Sequence, residues 1–581
     1  MATPKNGFVI GAITVAVALL ATYLVPFTDI ILEKAAQFGV TVPKGSLPPP
    51  AVYDSGRDIK YIGSLSNEVE HFQNIFYAEE PTGSRRFAPP VPVQPLKGTV
   101  IDATRPGAWC PQGTGDILPF TSRVSNISEN CLSLRIARPT GPKNENLPVV
   151  VWLHGGGHAL GSASEILYNP EGLVKEAVVA GKPLIYVGIN YRLGWVRDNI
   201  EAFGGDPKRV TAIGQSVGAS DIGLHLTSFS GTKGVPFQQA IMMSGAPGLN
   251  FNSDPALVAD NTASIAQEVG CVTTDAQSLE TLECLRHIPF ETLANISVTA
   301  SRAARPPFGE GFFYPTIDGD ILPGRPSELL RAGNFVKDVP IIASWVTNDG
   351  AWYAPPPTST NEEVLGSFGL WLSKLSPSTN ENLLQLYPVA DFEHMAGNGP
   401  ISPQYYRAAQ MNRDIWFTCP VLDFTWQYVE KGGVEASKVW LYEHNATRYG
   451  PVFEMMGVPM WRVAHLSDIP YVMNNGNLGG GADNSPEQME LAGLVSRQVI
   501  GFAYDGRPGD EWPAAFLGGE LSKGSPGRLS IQVFGGPVPG AVTVNKDASH
   551  ATLAEQAVVW EKLFERCEFI NSVQMRAEAG V

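Results

Sequence analysis

The amino-acid sequence predicts an α/β fold with a large, mostly parallel central sheet flanked by helices. One observation is a series of short apolar runs, bounded by Gly, Pro or polar residues, that are typical of buried strands. Another is that longer stretches compatible with helices, such as residues 255–269 and 361–375, lie between several of these runs. Buried strands that alternate with helices favour a parallel sheet. The strand candidates are residues 149–153, 184–189, 210–213, 240–243, 339–343 and 439–442.

The composition limits the classes of protein to which the chain can belong. Hydrophobic residues make up 44% and charged residues 17% of the 581 residues, which is enough apolar material for a packed core. The formal net charge of -16 argues against a nucleic-acid partner, because phosphates require a basic surface. We find no composition break within residues 46–581, and we therefore expect a single domain there.

Residues 1–45 are expected to be a leader and linker. Lys5 precedes an uncharged apolar run, residues 7–27, and a linker rich in Pro follows it. Two interpretations stay open: a cleaved secretory signal, for which Ala16-x-Ala18 offers a small-residue pattern, or an uncleaved helix that anchors the protein in the membrane. Both direct the chain into the secretory pathway, either secreted or anchored.

The cysteines and glycosylation triplets agree with that destination. Six cysteines allow 15 pairings, so the sequence alone leaves their connectivity open. Asn-x-Ser/Thr triplets predict glycosylation at Asn126, Asn295 and Asn445. The protein is therefore expected to be a disulfide-bonded glycoprotein.

Ser216 is the candidate nucleophile. The apolar run that ends at Ile213 leads into Gly214-Gln-Ser-Val-Gly218, a G-x-S-x-G sequence between a strand and a segment compatible with a helix. The flanking glycines permit a sharp turn that exposes the serine hydroxyl at the amino end of the next helix. There the helix dipole favours a developing negative charge.

A second glycine-rich turn predicts an oxyanion hole. The strand candidate 149–153 ends in His154-Gly-Gly-Gly157. Consecutive glycines allow backbone N–H groups to point into a cavity without obstruction by side chains. The expected donors are the N–H groups of Gly156, Gly157 and Val217.

Together these motifs resemble the type-B carboxylesterase/lipase family, which includes cholinesterases and fungal lipases. The resemblance extends from about Val69 to Cys567 and implies the α/β-hydrolase fold. The further segments that carry it are Phe76–Ala78 through Arg86-Phe87, Ser128–Leu132, Asn190–Arg192, Phe203–Pro207 and Pro315–Gly319.

The resemblance also selects residues that the spacing alone does not. It implies His465 as the general base, Asp349 as the acid that orients it, and Ser244 as a supporting serine. It implies disulfides Cys110–Cys131, Cys271–Cys284 and Cys419–Cys567. The expected mechanism is attack by Ser216 on an ester through an acyl-enzyme, and it requires no metal and no cofactor.

Two departures from the family pattern bear on the substrate. Gln215 replaces the glutamate that usually precedes the serine, which removes a negative charge beside the histidine. The loop from Cys110 to Cys131 contains no Trp for a cation–π contact with a quaternary ammonium. We therefore expect a small neutral ester rather than a choline ester.

A third departure concerns the chain that leads to the nucleophile. Asn190–Gly194 is followed directly by Trp195–Asn199, whereas relatives have a loop and the start of a helix between these segments. Either the fold tolerates a deletion, or the sequence reflects a wrong exon boundary. We take the second interpretation as our hypothesis, because the motifs on both sides are intact.

The sequence thus predicts a serine ester hydrolase that acts on a hydrophobic substrate. Acyl transfer by the same residues stays open, as does a catalytically impaired protein that binds or adheres to a partner. The oligomeric state is not predicted. The residues expected to line an apolar pocket are Phe312, Phe313, Trp352, Tyr353, Met455, Met456, Met460 and Trp461.

Overall fold

A computed structural model describes residues 48–114, 124, 126–141, 146–191, 193–248, 252–272, 275–476, 482–516, 528–545 and 562–581. The leader expected in residues 1–45, including the apolar run 7–27, lies outside these residues. Pro50–Val581 form one compact unit. No helix among the described residues is long and apolar enough to cross a membrane.

The strands form two sheets. β1, β2 and β5 form a small sheet, and the other strands form one of eleven strands in the order β14-β13-β12-β11-β10-β9-β7-β8-β6-β4-β3. In chain order the strands are β1 (Ala51–Asp54), β2 (Ile59–Ile62), β3 (Ser64–Ser66), β4 (Val69–Phe76), β5 (Thr99–Asp102), β6 (Ser133–Pro139), β7 (Leu147–Leu153), β8 (Ile185–Ile189), β9 (Gly205–Gln215), β10 (Gln239–Met243), β11 (Ile341–Val346), β12 (Val439–Asn445), β13 (Arg528–Gly535) and β14 (Gly540–Asn545).

The centre of the large sheet is parallel and its two margins are antiparallel. The neighbours from β8 through β7, β9, β10, β11 and β12 to β13 pair in parallel. β14 pairs antiparallel with β13, and β3, β4, β6 and β8 pair antiparallel with one another in turn. The prediction of a large, mostly parallel sheet is confirmed.

Helices separate most of the parallel strands, as the sequence pattern predicts. The α-helices among the described residues are α1 (Glu171–Val179), α2 (Gly194–Asn199), α3 (Val217–Thr227), α4 (Pro255–Glu268), α5 (Leu279–His287), α6 (Phe290–Ala304), α7 (Pro326–Arg331), α8 (Asn361–Gly369), α9 (Pro377–Leu386), α10 (Glu393–Ala396), α11 (Pro403–Arg413), α12 (Cys419–Gly432), α13 (Gly450–Met455), α14 (Ile469–Val472), α15 (Pro486–Asp505), α16 (Leu563–Ile570) and α17 (Val573–Ala579).

The sheet has an apolar core on each face, because successive side chains of a strand point to opposite sides. On β7, Val149, Val151 and Leu153 belong to one core, which also contains buried residues of α3 and α12. Val150 and Trp152 belong to the other, together with residues of α1 and α15. Burial on both faces explains why β7 is a continuous apolar run rather than an alternating one.

The parallel register brings the carboxyl ends of the central strands to one edge of the sheet. Leu153 at the end of β7 is opposite Gly214, Gln215 at the end of β9 is opposite Met243, and Met243 is opposite Ser344 of β11. The glycine-rich turn, the serine and the predicted acid therefore all follow strands that end side by side. Ligand sites of open α/β sheets lie at this edge.

The connection after β8 is short. Only residues 190–193 separate the end of β8 from α2, and a 3₁₀ turn over Ile200–Phe203 then leads into β9. The side chains of Trp195, Val196 and Phe203 are nevertheless buried. The abrupt connection that a deletion requires is thus compatible with a packed α2, and the exon hypothesis stays a prediction.

Several elements differ from their predicted bounds, and two of them are shorter than predicted for an identifiable local reason. β11 begins at Ile341 rather than Val339, because the backbone N–H of Val339 donates to the Tyr428 hydroxyl at 3.0 Å instead of to a neighbouring strand. α8 ends at Gly369 rather than at residue 375. Trp371 lies in the turn that follows the helix, and its N–H donates to the carbonyl of Phe368.

The cysteines form three disulfides in the structure. These are Cys110–Cys131, Cys271–Cys284 and Cys419–Cys567, with sequence separations of 21, 13 and 148 residues. The pairing is the one that the resemblance implies.

Candidate active site

Ser216 lies in a sharp turn between β9 and α3. Its backbone has φ 59° and ψ -128°, a region that L-residues rarely adopt, and its N–H donates to the carbonyl of Met243 at 2.8 Å. The turn also requires close backbone approach. A Cβ on Gly218 would stand 2.2 Å from the carbonyl oxygen of Leu153. The glycines around Ser216 therefore serve packing as well as backbone conformation.

His465 and Asp349 form the second part of the site. Nδ1 of His465 lies 2.7 Å from Oδ1 of Asp349, and both side chains are buried. The two loops are joined by backbone pairing, since the Asn348 N–H donates to the carbonyl of Val463 at 3.0 Å. An imidazole held through Nδ1 in this way leaves Nε2 as the ring atom that can act as a base, although His465 is not among the described residues that line the cavity at Ser216.

The other carboxylate oxygen of Asp349 accepts two hydrogen bonds. The hydroxyl of Ser244 donates to Oδ2 at 2.9 Å, and the N–H of Val346 donates to it at 2.7 Å. These contacts fix the carboxylate plane and so fix the imidazole. Ser244 is thus hydrogen-bonded to the acid that the resemblance selects, and its supporting role stays a prediction.

Gln215 contacts the base directly. Its side-chain nitrogen Nε2 lies 3.2 Å from Nε2 of His465. With Nδ1–H donated to Asp349, Nε2 of the neutral imidazole is an acceptor, and the Gln215 amide donates to it. Among the hydrogen bonds of the described residues there is none between Ser216 and His465. In this state Gln215 occupies the lone pair that must accept the serine proton.

The predicted oxyanion donors lie beside Ser216. Gly157 and Val217 line the same cavity as Ser216, and Val217 is the first residue of α3. Within the described part of the chain, the N–H groups of Gly156, Gly157 and Val217 donate no hydrogen bond to another backbone carbonyl outside helices and strands. They are therefore available to a carbonyl oxygen of a substrate.

A small cavity of about 50 Å³ opens at Ser216. Apart from the residues already described, its walls are a carboxyl group and five aromatic side chains. These are Glu310, Tyr314, Tyr353, Trp371, Trp416 and Phe417.

Two of these aromatic residues come from an irregular turn between α11 and α12. Asp414–Thr418 form a π-helical turn, which often marks a functional site. Phe417 packs on His465 with 4.5 Å between ring centroids. The turn thus covers one face of the base with an aromatic ring.

The apolar residues predicted to line the pocket are only partly placed there. Tyr353 lines the cavity, and Trp352 packs edge-on against His465 at 5.3 Å. Trp461 contacts Trp352, whereas Phe313 packs on Phe312 and lines a different cavity. Met455 and Met456 are 74% and 41% exposed. Met460 is a partly buried residue packed against the core.

Four lining residues that sequence reasoning missed come from segments without a motif: Glu310, Trp371, Trp416 and Phe417. Tyr314 directly precedes the Pro315–Gly319 motif. The only signal that could have drawn attention to Glu310 is its position between two glycines, Gly309 and Gly311.

A second acidic residue lies next to the pair of His465 and Asp349. Asp468 is fully buried, and the Tyr442 hydroxyl donates to its Oδ2 at 3.3 Å. Burial, and after it the charge of Asp349, raises the pKa of Asp468 to about 7. Near neutral pH its carboxyl group therefore carries a proton for much of the time.

Two larger cavities, of about 830 and 530 Å³, lie elsewhere in the protein. Ser216, His465 and Asp349 are absent from the described residues that line them. Volume alone therefore does not select the candidate site. The small cavity is the one that Ser216, Gly157 and Val217 line.

The predicted glycosylation sites lie apart from this cavity wall. Asn126 and Asn295 are exposed, and Asn445 is half-buried at the end of β12.

The carboxylesterase family model matches residues 56–194 and 193–523. The match is thus divided at the place where the sequence departs from its relatives. Two fungal proteins align over most of the chain. The inactive carboxylesterase-like protein VdtD of Byssochlamys spectabilis is 32% identical over 90% of this chain and 94% of its own length. The secreted lipase ARB07186/07185 of Arthroderma benhamiae is 31% identical over 90% of this chain and 95% of its own length.

A solved structure is similar to the whole fold. The crystal structure of Aspergillus niger EstA superposes with a TM-score of 0.70 and covers 92% of this chain and 99% of its own. At 20% sequence identity this similarity supports the α/β-hydrolase architecture.

Proposed function

The chain belongs to the carboxylesterase family, as a member of the fungal carboxylesterase/lipase type, and is a carboxylic ester hydrolase. From this premise we propose that it hydrolyses small neutral esters. In the proposal Ser216 is the nucleophile, His465 is the base and Asp349 is the acid that orients the base. The observation that carries the proposal is the 2.7 Å contact between His465 and Asp349 beside a serine in a strained turn. Relatives that are secreted lipases support a place in the secretory pathway.

The arrangement supports a conventional acyl-enzyme mechanism. His465 accepts the proton of Ser216 as the hydroxyl oxygen attacks the ester carbonyl. The N–H groups of Gly156, Gly157 and Val217 then hold the oxyanion, and the loss of one such donor costs about 3 kcal/mol in the barrier. His465 returns the proton to the leaving alcohol, and a water molecule repeats the sequence on the acyl-enzyme.

The neutral side chain of Gln215 supports a neutral substrate. A glutamate at this position would add a negative charge at the base and attract cations. An amide contributes hydrogen bonds without that charge.

The test is labelling with a fluorophosphonate probe, which reacts with activated serines. We expect the wild type to be labelled and Ser216→Ala not to be, with hydrolysis of p-nitrophenyl esters reduced at least about thousandfold. Ser373→Ala, which changes an exposed serine, is the matched control and should behave as the wild type. Labelling that persists in Ser216→Ala would refute the assignment.

One observation favours a second candidate, a catalytically impaired protein that binds its ligand. The Gln215 amide occupies Nε2 of His465, and a relative of similar length is named inactive. A folded wild type that neither labels nor hydrolyses esters would support this candidate over the enzyme.

A further inference from the structure

The wall of the catalytic cavity carries a carboxyl group that the triad mechanism does not use. Glu310 faces the same space as Ser216 and Gly157. Apart from Ser216 and Val217, the other side chains of that wall are aromatic. A single acidic side chain beside a nucleophile is well placed to discriminate among substrates.

Glu310 is held against the oxyanion turn. The N–H of Gly311 donates to the carbonyl of Gly157 at 2.9 Å, and the N–H of Gly309 donates to the carbonyl of Arg305 at 2.7 Å. A Cβ on Gly157 would stand 2.4 Å from Cγ of Glu310. The stem of the glutamate therefore lies directly on Gly157, and its carboxyl group cannot be far from the bound ester carbonyl.

The cavity holds only part of a substrate. Complete ligand sites enclose about 300–1,000 Å³, whereas this cavity measures about 50 Å³. With the carbonyl oxygen at the N–H groups of Gly157 and Val217, one substituent of the carbonyl carbon enters the cavity. The alcohol is the first product to leave and needs a path to solvent, so it is not the enclosed substituent. The enclosed substituent is therefore the acyl group, which must be short to fit the cavity.

The carboxyl group of Glu310 is incompletely satisfied by the protein. Tyr353 forms a side-chain hydrogen bond with it, and burial raises the pKa of the Glu310 carboxyl. A carboxyl group offers more sites than one tyrosine hydroxyl fills. A purely apolar acyl group would cover the remaining hydrogen-bonding sites of the Glu310 carboxyl group and give them no partner. Burying polar atoms in this way is energetically unfavourable. An uncharged hydroxyl would supply the missing partner.

We propose that Glu310 is a specificity-determining residue that selects esters of short hydroxyacyl groups over esters of equally short alkanoyl groups. The inference rests on the proposed function and refines its substrate class. The hydroxyl of the acyl group hydrogen-bonds to the Glu310 carboxyl while the ester carbonyl occupies the oxyanion hole. The aromatic side chains of the cavity enclose the carbon atoms.

The experiment compares two esters of nearly equal shape, p-nitrophenyl hydroxyacetate and p-nitrophenyl propanoate, with the full-length protein. The quantity measured is the ratio of their kcat/KM values, divided by the ratio of their hydroxide-catalysed rates. We expect the wild type to favour hydroxyacetate by about tenfold, the size of one buried hydrogen bond. Glu310→Leu should abolish this preference.

Two further variants separate hydrogen bonding from charge and from general effects. Glu310→Gln keeps a hydrogen-bonding amide of the same shape and should retain the preference within about threefold. Glu362→Leu makes the same change at an exposed position of α8 and should retain it fully.

The outcomes distinguish the two proposals. A wild type that hydrolyses both esters without preference overturns the role of Glu310 and leaves the proposed function intact, even if Glu310→Leu fails to fold. A preference for the hydroxyacetate ester that is as large in Glu310→Leu as in the wild type also overturns the role of Glu310. A wild type that hydrolyses neither ester and does not label with the phosphonate probe overturns both.

Discussion

The carboxyl groups of Asp349 and Asp468 share one buried site but have different surroundings. Asp349 accepts hydrogen bonds from His465, Ser244 and the N–H of Val346. Asp468 has the hydroxyl of Tyr442 at 3.3 Å on one oxygen, and its Oδ1 is buried without a hydrogen bond among the described residues. Burial with so few hydrogen bonds favours the neutral form of Asp468.

The pH dependence of stability follows from this difference. The folded pKa of Asp468, about 7, lies above its unfolded value of 3.8. Its contribution to stability is therefore fully present below pH 3.8 and is lost as the pH rises through 7. Asp468→Asn, which is neutral at every pH, should lack this loss.

As the pH is raised from 5 to 8, we expect the melting temperature of the wild type to fall relative to that of Asp468→Asn. Differential scanning fluorimetry across that range measures it. Parallel curves for the two proteins would contradict the raised pKa.

Among single residues, those within motifs could be predicted and those outside could not. Ser216 stands in G-x-S-x-G, and the resemblance selects His465 and Asp349, which the structure brings together. Glu310 and Trp371 reach the cavity through turns whose direction depends on tertiary contacts, such as the bond from Gly311 to Gly157. No local pattern encodes such a contact.

At the scale of elements, the junction of β9 and α3 decides the geometry of the site. β9 is fully buried along its second half, and α3 starts immediately after Ser216. The helix begins where β7 also ends, so Gly218 lies against the carbonyl of Leu153. The junction therefore transmits any change in β7 to the nucleophile.

Gly218→Ala tests this junction. The new methyl group would stand 2.2 Å from a backbone oxygen, so α3 or β7 must shift. We expect a clear loss of thermal stability and of phosphonate labelling. Gly501→Ala, in α15 with open space at its Cβ position, is the control and should be stabilising by about 0.5–1 kcal/mol. A Gly218→Ala protein that labels as fast as the wild type would show that the contact is unimportant.

The six central strands β7 to β12 could be predicted because each contains a short apolar run that is buried on both faces of the sheet. The exceptions are instructive. β11 starts two residues later than its apolar run because Tyr428 takes the N–H of Val339. The small sheet, the antiparallel strands β3, β4, β6 and β14, and the parallel strand β13 lie outside the prediction.

At the scale of the whole molecule, one disulfide joins distant parts of the chain. Cys419, at the start of α12, is bonded to Cys567 in α16, at a sequence separation of 148. Cys271–Cys284 closes a segment of only 13 residues. In the chain-entropy view a cross-link restricts the unfolded chain more when its loop is longer.

Replacing each pair by alanine should reveal this difference. The entropic contribution is about 5 kcal/mol for the long loop and about 3 kcal/mol for the short one. We expect the melting temperature of the Cys419→Ala/Cys567→Ala protein to fall further than that of Cys271→Ala/Cys284→Ala. An equal or smaller fall would show that the long cross-link does not act through the unfolded chain.

The single hydrogen bond between Gly311 and Gly157 has a consequence for how this enzyme could change over evolutionary time. It ties the turn that presents Glu310 to the turn that offers the oxyanion N–H groups. A mutation that enlarges the acyl pocket by moving the first turn also displaces the second. On the proposed function, substrate range and catalytic rate are therefore coupled through this bond, and a variant with a wider pocket has to break or replace it.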